Sequence, residues 1–324
     1  MLNTLVRRFA QMAFVMFGIS VLVFLIFFAT PGVDPAARLA GRNASPEVLA
    51  AVRASFGLDQ PLPIQYLMMM KKMFITQDLT SFVNRGQMIV PELVQAAPVT
   101  ISLVVGSALL WVGLSIPIGM LAAAFKDRFL DRVLMGLVIV GISPPVFWLG
   151  EITNLITQSR YHDTWLFSWV PPLGYIPFSE DPWGWFKCLV LPCANVAVLY
   201  IGIYARLLRS NIIEANQQDF IRTARAKGLS EWQILFRHSL RTSLITFATL
   251  FGLDFGFLVG GGVLLTEVVF GLPGIGKLTY ESLRVLDLPT IMGTVLWGAF
   301  FVVASNAIID SLYAFIDPRA RHAS

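Results

Sequence analysis

The chain has 324 residues, of which 56% are hydrophobic and 14% are charged, and its mean hydropathy is +0.70. A soluble domain of this length carries more charge, so the composition excludes an ordinary soluble protein and predicts an all-α, multi-pass membrane protein. The formal net charge of +4 follows from the loops that face the cytoplasm and does not indicate nucleic-acid binding.

Six apolar stretches have roughly the 20 residues that a transmembrane helix needs. They are residues 9–29, 98–125, 133–157, 188–205, 242–266 and 291–316. Basic residues in short loops favour the cytoplasmic side. With the N-terminus inside, the cytoplasmic segments hold most of them: Arg7, Arg8, Lys126, Arg128, Arg132, the cluster at 206–241, Arg319 and Arg321. We therefore expect six transmembrane helices with both termini in the cytoplasm.

The long segment after the first apolar stretch, residues 31–97, is predicted to be an external helical cap. Ser45-Pro46-Glu47 starts a short amphipathic pattern that Gly57 ends, and Pro61 and Pro63 precede a second apolar run. We expect this cap to pack on the core or contact a partner rather than to carry chemistry.

A polar, basic insert at 206–241 interrupts the apolar chain. Residues 213–227 are predicted to form one helix, and Gly228 suits the left-handed residue that closes it. Ser230 and Gln233 have the spacing of a capping box that starts a second helix. Two short helices joined at a glycine on a membrane face predict a docking element for another protein.

Two carboxylates within the apolar stretches are candidates for a translocation pathway, since ionisable groups in membranes usually face protein or water. Glu151 lies among polar residues, so it either serves the pathway or lies at the outer interface. Asp254 lies about 18 Å into its stretch and either lines the pathway or makes a helix–helix hydrogen bond. Glycines 252, 256 and 260 form one close-packing face, and Asp254 points away from it.

The segment 271–278 nearly matches a nucleotide-binding loop, but Leu278 replaces the hydroxyl residue that binds Mg²⁺ and no strand precedes it. We interpret it as an external re-entrant turn. The sequence also contains no catalytic or metal-ligating pattern; its three histidines are scattered.

Four segments carry a resemblance to a known family. The stretch RTARAKGLSEWQILFRHSLRTSLI resembles the conserved cytoplasmic loop, called the EAA loop, of bacterial ABC-importer permeases of the dipeptide/oligopeptide/nickel type. GLDQPLPIQY at 57–66, EVVFGLPGIGKL at 267–278 and AFIDPRAR at 314–321 are also similar to this family.

The resemblance implies a permease subunit of the bacterial cytoplasmic (inner) membrane that carries di- or oligopeptides, or a related small solute. It implies a second, non-identical permease subunit, two cytosolic ATPase subunits that bind ATP and Mg²⁺, and an external substrate-binding protein. The chain itself would be no enzyme and would hold no cofactor. Its divisions would be 1–30, the first transmembrane helix; 31–97, the cap; 98–316, the permease core with its coupling loop at 206–241; and 317–324, a cytoplasmic tail.

The insert would then be the coupling element that seats in an ATPase subunit. The residues expected to couple are Asp219, Arg222, Ala224, Arg225, Lys227, Gly228, Glu231, Trp232 and Ile234. The small ones would permit close docking, and the cationic ones would contact acidic ATPase surface. Glu231, Trp232 and Ile234 would form the contact face of the second helix.

Two other functions stay open from the residues alone. An ion-gradient-driven secondary transporter would use Glu151 and Asp254 as proton or cation sites, and would take up solute without an ATPase. A membrane scaffold or enzyme would leave the docking element unexplained.

Overall fold

The computed structural model describes residues 2–28, 45–84 and 86–316, together with Ala36. The helices are joined by turns and loops in this part of the chain, which also has one isolated β-bridge, between Thr80 and Met88. The helices are α1 Leu2–Phe28, α2 Pro46–Phe56, α3 Leu62–Phe74, α4 Ile89–Ala124, α5 Phe129–Ile142, α6 Val146–Asn154, α7 Pro182–Ala215, α8 Asp219–Ala226, α9 Glu231–Gly262, α10 Leu264–Phe270, α11 Ile275–Val285 and α12 Leu288–Ile316. Within α9, the segments Leu235–Ser239 and Leu258–Gly262 are π-helical, and a further π-helical segment, Leu155–Arg160, continues α6.

Four of the described helices are long and apolar enough to cross a membrane: α4, α7, α9 and the first part of α12. The helices α5 and α6 together pass the same test as a pair bent by 88°. The apolar part of α1 with described side chains, Ala10–Ile26, is shorter. The described chain therefore has four candidate spans, or five if the bent pair crosses once, and the predicted tail 317–324 lies outside it.

The bend between α5 and α6 divides the single transmembrane helix predicted at 133–157 into two helices. Helix α5 ends at Ile142, and Pro145, the N-cap of α6, is extended, with φ −59° and ψ 139°. Two successive prolines remove backbone donors and disfavour helical geometry in the residue before them. The sequence Ser143-Pro144-Pro145 therefore turns the chain instead of continuing the helix.

The central packing unit is the pair α4 and α7. A Cβ added to Gly119 of α4 would lie 2.8 Å from the carbonyl oxygen of Ala205 on α7, so the two backbones approach closely. Trp111 is fully buried and stacks on Tyr200 with ring centroids 4.8 Å apart. Helix α4 begins at Ile89, before the expected residue 98, and both Pro98 and Pro117 lie inside it.

The glycine face predicted on α9 packs against α12. A Cβ at Gly252 would meet Ile309, one at Gly256 would meet Ser305, and one at Gly260 would meet the backbone of Gly298. The prediction of a close-packed helix pair is therefore confirmed. Helix α9 ends at Gly262 rather than continuing to residue 266, because Gly261 leaves helical geometry with φ +122°.

The described part of the cap is attached to the core at two places. Helix α2 ends before Gly57, which has φ +66° as expected, and Tyr66 of α3 shares a 2.7 Å hydrogen bond with Ser20 of α1. Further along, Ser81 donates to Asp287 at 2.5 Å, just before α12. These contacts hold the segment before α4 against the ends of α1 and α12.

Candidate functional site

The polar insert is one short helix between two long ones, which corrects the prediction of two short helices. Helix α7 continues to Ala215, a turn covers residues 216–218, and α8 spans Asp219–Ala226. Ser239 of α9 donates to Asn216 in this turn at 2.5 Å. The turn interrupts the helix predicted at 213–227. In a continuous helix, Ile212 and Ile221 would lie on different faces, whereas here both side chains are buried.

Beyond the loop, no glycine or proline occurs from residue 231 to residue 251, so nothing stops the second helix after a few turns. The helix that begins at Glu231 therefore continues as the long helix α9, which is a candidate span. Movement of α8 would act directly on the end of a candidate span.

Gly228 closes α8 with the left-handed conformation that the sequence predicts, at φ +79°. Its N–H donates to the carbonyl of Arg225 at 2.9 Å, and the N–H of Leu229 donates to that of Ala224 at 3.4 Å. These two bonds form a Schellman motif. No atom lies within 4 Å of a Cβ added at Gly228, so glycine is needed here for its backbone conformation and not for space.

Helix α9 begins with the predicted capping box. The Ser230 hydroxyl accepts from the Gln233 N–H at 3.3 Å, and the Gln233 side chain accepts from the Ser230 N–H at 3.0 Å. Both local signals at the centre of the insert are thus confirmed.

The loop has a small apolar core of its own. Ile221 and Ala224 of α8 pack with Ile234 of α9, and Leu229 covers them. Ile234 is only 1% exposed, so its predicted place on a contact face is wrong. Ala224 is also buried, and its small side chain serves the packing of α8 on α9.

An ion pair joins the two helices across the glycine turn. The Arg225 guanidinium donates two hydrogen bonds to the Glu231 carboxylate, at 2.8 and 3.1 Å. These bonds hold the pKa of the Glu231 carboxyl below its usual value and raise the pKa of Arg225. The two residues, predicted to contact an ATPase subunit separately, bind each other in this chain.

The remaining predicted coupling residues are exposed. Arg222 forms an ion pair with Asp219 at 3.1 Å, and Lys227 lies beside Gly228 at the end of α8. Trp232 is 52% exposed and stacks on Phe236. Phe236 and Phe220, both exposed, were missed from the sequence, although large aromatic residues in a polar insert are a signal for a binding surface.

An ion pair between the partly exposed Arg209 and the buried Asp131 ties this end of α7 to α5. Arg209 donates to both carboxylate oxygens of Asp131, at 2.7 and 2.6 Å, and the Asp127 N–H also donates to Asp131. Sequence reasoning did not find this pair. It fixes the position from which the chain leaves the bundle to form α8.

Of the two intramembrane carboxylates, Asp254 accepts a hydrogen bond from the Tyr204 hydroxyl of α7 at 2.6 Å. That contact is the helix–helix bond expected as one of the two roles of Asp254. Tyr204 in turn packs edge-on against Phe247 with centroids 4.8 Å apart. Glu151 lies on α6, beyond the 88° bend, with an exposed side chain.

The turn that resembles a nucleotide-binding loop encloses a carboxylate of the chain itself. Glu267 is fully buried and accepts hydrogen bonds from the Thr100 hydroxyl at 2.6 Å and the Lys277 N–H at 2.9 Å. A Cβ at Gly274 would overlap this carboxylate. Burial raises the pKa of Glu267 to about 7. Glu267 therefore occupies the N-terminus of α11, where a phosphate would bind in a nucleotide site.

A cavity with a volume of about 940 Å³ lies at the other end of the bundle from α8. Its walls are the first turns of α4 and α7, residues 175–179 and the first half of α11. Glu92, Lys277 and Glu281 are the charged residues of its lining. The structure thus presents the exposed loop around α8 at one end and a charged, partly aromatic cavity at the other.

Comparisons with known proteins agree with this arrangement. Residues 115–322 match the family described as "Binding-protein-dependent transport system inner membrane component". Residues 1–104 match the family described as "Binding-prot-dependent transport system membrane comp, N-term". A putative peptide transport system permease protein of Brucella abortus (strain 2308) is 36% identical over 98% of both chains.

Two further relatives match over almost their full length. A probable D,D-dipeptide transport system permease protein of Escherichia coli (strain K12) is 35% identical, over 97% of this chain and 96% of the relative. A glutathione transport system permease protein of Salmonella choleraesuis is 35% identical, over 99% and 100%.

Among solved structures, the inward-facing MetNI methionine ABC transporter has a chain that matches with a TM-score of 0.51 and 16% identity. The match covers 69% of this chain and 97% of that one, and it supports the fold alone. Proteins of the matched family are membrane components and not enzymes, and they work with ATP-binding subunits and a substrate-binding protein. The chain belongs to the binding-protein-dependent transport system inner membrane components and is a permease subunit of an ABC importer.

Proposed function

We propose that this chain forms half of the translocation pathway of an ATP-driven importer of di- or oligopeptides in the bacterial cytoplasmic membrane. Support for the substrate class comes from the relatives, whose names specify peptide, D,D-dipeptide and glutathione transport. The proposed topology has six transmembrane helices with both termini in the cytoplasm. The proposed assembly pairs the chain with a second, non-identical permease subunit and two ATPase subunits.

The observation that carries the proposal is the geometry of the loop around α8. This helix is anchored at both ends, by the Schellman motif at Gly228 and by the turn at residues 216–218, and it joins α9 without a flexible linker. Seated in a cleft of an ATPase subunit, α8 would pass the closure of the ATPase dimer to α7 and α9 and rock the bundle between inward- and outward-open states.

The contact surface of the loop follows from what is exposed. We propose that Asp219, Arg222, Lys227 and Trp232 contact the ATPase subunit, with Gly228 setting the turn between the helices. Ala224 and the Arg225–Glu231 pair would act from within, by holding the shape of the loop.

The experiment is purification of the complex from detergent, followed by uptake of a labelled tripeptide into proteoliposomes. We expect two ATPase subunits and a second permease subunit to co-purify, and uptake to require ATP and the binding protein. Uptake driven by an ion gradient without ATPase subunits would contradict the proposal and favour a secondary transporter.

Asp254 is proposed to line the pathway, together with Glu151, while it bonds to Tyr204. Asp254→Asn keeps an acceptor for the Tyr204 hydroxyl and removes the charge. We expect the complex to stay intact while uptake of cationic peptides falls relative to neutral ones. Unchanged selectivity would leave Asp254 with its hydrogen bond to α7 as its sole role.

A further inference from the structure

With α8 on the cytoplasmic side, as proposed, the large cavity lies at the outer end of the bundle, where an importer receives its solute. Helix α4 runs from the cavity to Ala124, beside the start of α5, and Arg209 near the end of α7 pairs with Asp131 in the first turn of α5. The C-terminal ends of α4 and α7 therefore share one end of the bundle with α8. Their N-terminal ends, which line the cavity, lie at the opposite end.

The charges of the lining favour a cation. Glu92 of α4 and Glu281 of α11 contribute two carboxylates, and Lys277 contributes one ammonium group. The Lys277 Nζ lies 3.9 Å from the Glu281 carboxylate and 3.5 Å from the carbonyl of Gly271. With one cation against two anions, the lining carries an excess negative charge, which raises the local concentration of cationic solutes.

One wall of the cavity is aromatic and held in place. Trp185 donates its indole N–H to the Tyr175 hydroxyl at 3.1 Å, and Phe178 packs edge-on against Trp185 with centroids 5.2 Å apart. Because each ring is fixed by a neighbour, the wall is formed before a solute arrives. Aromatic faces attract ammonium groups and also cover apolar side chains.

We propose that this cavity binds the incoming solute through a protonated primary amine, held by Glu92 and Glu281 against the aromatic wall. The inference rests on the proposed function, since the N-terminus of a peptide is such an amine. The volume of about 940 Å³ is at the upper end of the range of roughly 300–1,000 Å³ found for small-molecule sites. The cavity therefore has room for a short peptide with its side chains.

The test compares uptake of tri-alanine and N-acetyl-tri-alanine by the complete transporter in proteoliposomes. The variants are Glu92→Gln and Glu281→Gln, each of which removes one negative charge with little change in size. The matched control is Glu180→Gln, an exposed carboxylate in the loop before α7 that does not line the cavity. Since the same binding protein delivers both peptides to every variant, its own preference cancels when variants are compared with the unmodified protein.

We expect each cavity variant to raise the KM for tri-alanine about tenfold, the effect of losing one charge-assisted hydrogen bond. The KM for the acetylated peptide should stay unchanged, and the control should match the unmodified protein. A second measurement omits the binding protein: saturation-transfer NMR of tri-alanine with the purified complex should give signals that Glu281→Gln weakens.

Equal KM changes for both peptides, or none for either, would overturn the inference, as would NMR signals that Glu281→Gln leaves unchanged. Weaker docking of the binding protein to the cavity variants would also overturn it, by assigning the carboxylates to a protein interface. Each of these results would overturn the amine site without contradicting the proposed import of peptides. Absence of ATP-dependent tri-alanine uptake by the unmodified transporter would instead refute the proposed function, and the inference with it.

Discussion

The conformation of Gly228 leads to a sharp prediction about coupling. At φ +79°, an L-residue with a Cβ is strained by about 1–2 kcal/mol, and a β-branched side chain is worse suited still. No atom lies within 4 Å of the added Cβ, so the Gly228→Val substitution causes no clash in this chain. The whole cost is conformational, and it falls on the turn between α8 and α9.

A strain of this size changes the population of the native turn by a factor of roughly 5–30. It is small beside the burial that holds α4, α7 and α9 together, so we expect Gly228→Val to insert and assemble. The number of solute molecules imported per ATP hydrolysed should fall by a similar factor. The assay is parallel measurement of uptake and ATP hydrolysis in proteoliposomes with saturating binding protein.

Gly228→Asn is the matched control, because asparagine is the residue that most often replaces glycine in the left-handed closing position of a helix. Its coupling ratio should stay within about twofold of the unmodified protein. Normal coupling by Gly228→Val would refute the reasoning. Equal damage by Asn and Val would also refute it, since the requirement would then be for empty space at a partner surface.

Three further predictions follow from other contacts. Either of the single changes Arg225→Glu and Glu231→Arg should reduce coupling, and combining them in one protein should restore it, because the ion pair is then reversed. Failure of the double variant to restore coupling would mean that Arg225 binds an acidic ATPase surface. Gly256→Ala should lower the melting temperature of the complex, because its Cβ would lie 2.3 Å from the Ser305 hydroxyl oxygen and such overpacking costs about 1–3 kcal/mol. Gly113→Ala, with nothing within 4 Å, is the control and should not lower it. Glu267 has a pKa raised to about 7, so the folded state binds the proton of this carboxyl more tightly than the unfolded state does. The resulting contribution to the free energy of unfolding is fully present below about pH 4.5 and is lost as the pH rises through 7. Glu267→Gln should flatten the melting temperature between pH 5 and pH 8, and an unchanged pH profile would contradict the assignment.

The sequence was sufficient where the determinants are local. The Schellman glycine at 228 and the capping box at 230–233 each involve residues within six positions of one another, and both were predicted correctly. The glycine face of α9 follows from helical periodicity alone, and the class of protein follows from composition. The resemblance to importer permeases depended on the same short, contiguous segments.

Local pattern failed where a break in geometry depends on neighbours in space. The helix predicted at 213–227 is interrupted because the turn at 216–218 is held by Ser239 and re-aims Ile221 toward Ile234. Amphipathic spacing indicates that Ile234 has a buried or binding face, but it does not distinguish the core of the loop from the surface of a partner. Both environments select the same apolar side chain.

Only the tertiary structure decided which charges meet and where space remains. Arg209 pairs with Asp131, 78 positions earlier, and Thr100 reaches Glu267, 167 positions later; no periodicity links such residues. The cavity of the proposed amine site likewise draws its carboxylates from α4 and α11. Sequence specifies membrane insertion and the helix caps at 228 and 230–233 because those depend on the solvent and on the nearest turns of the chain. The partner of a charge and the volume of a cleft depend on how whole helices pack, which the chain settles only once it is folded.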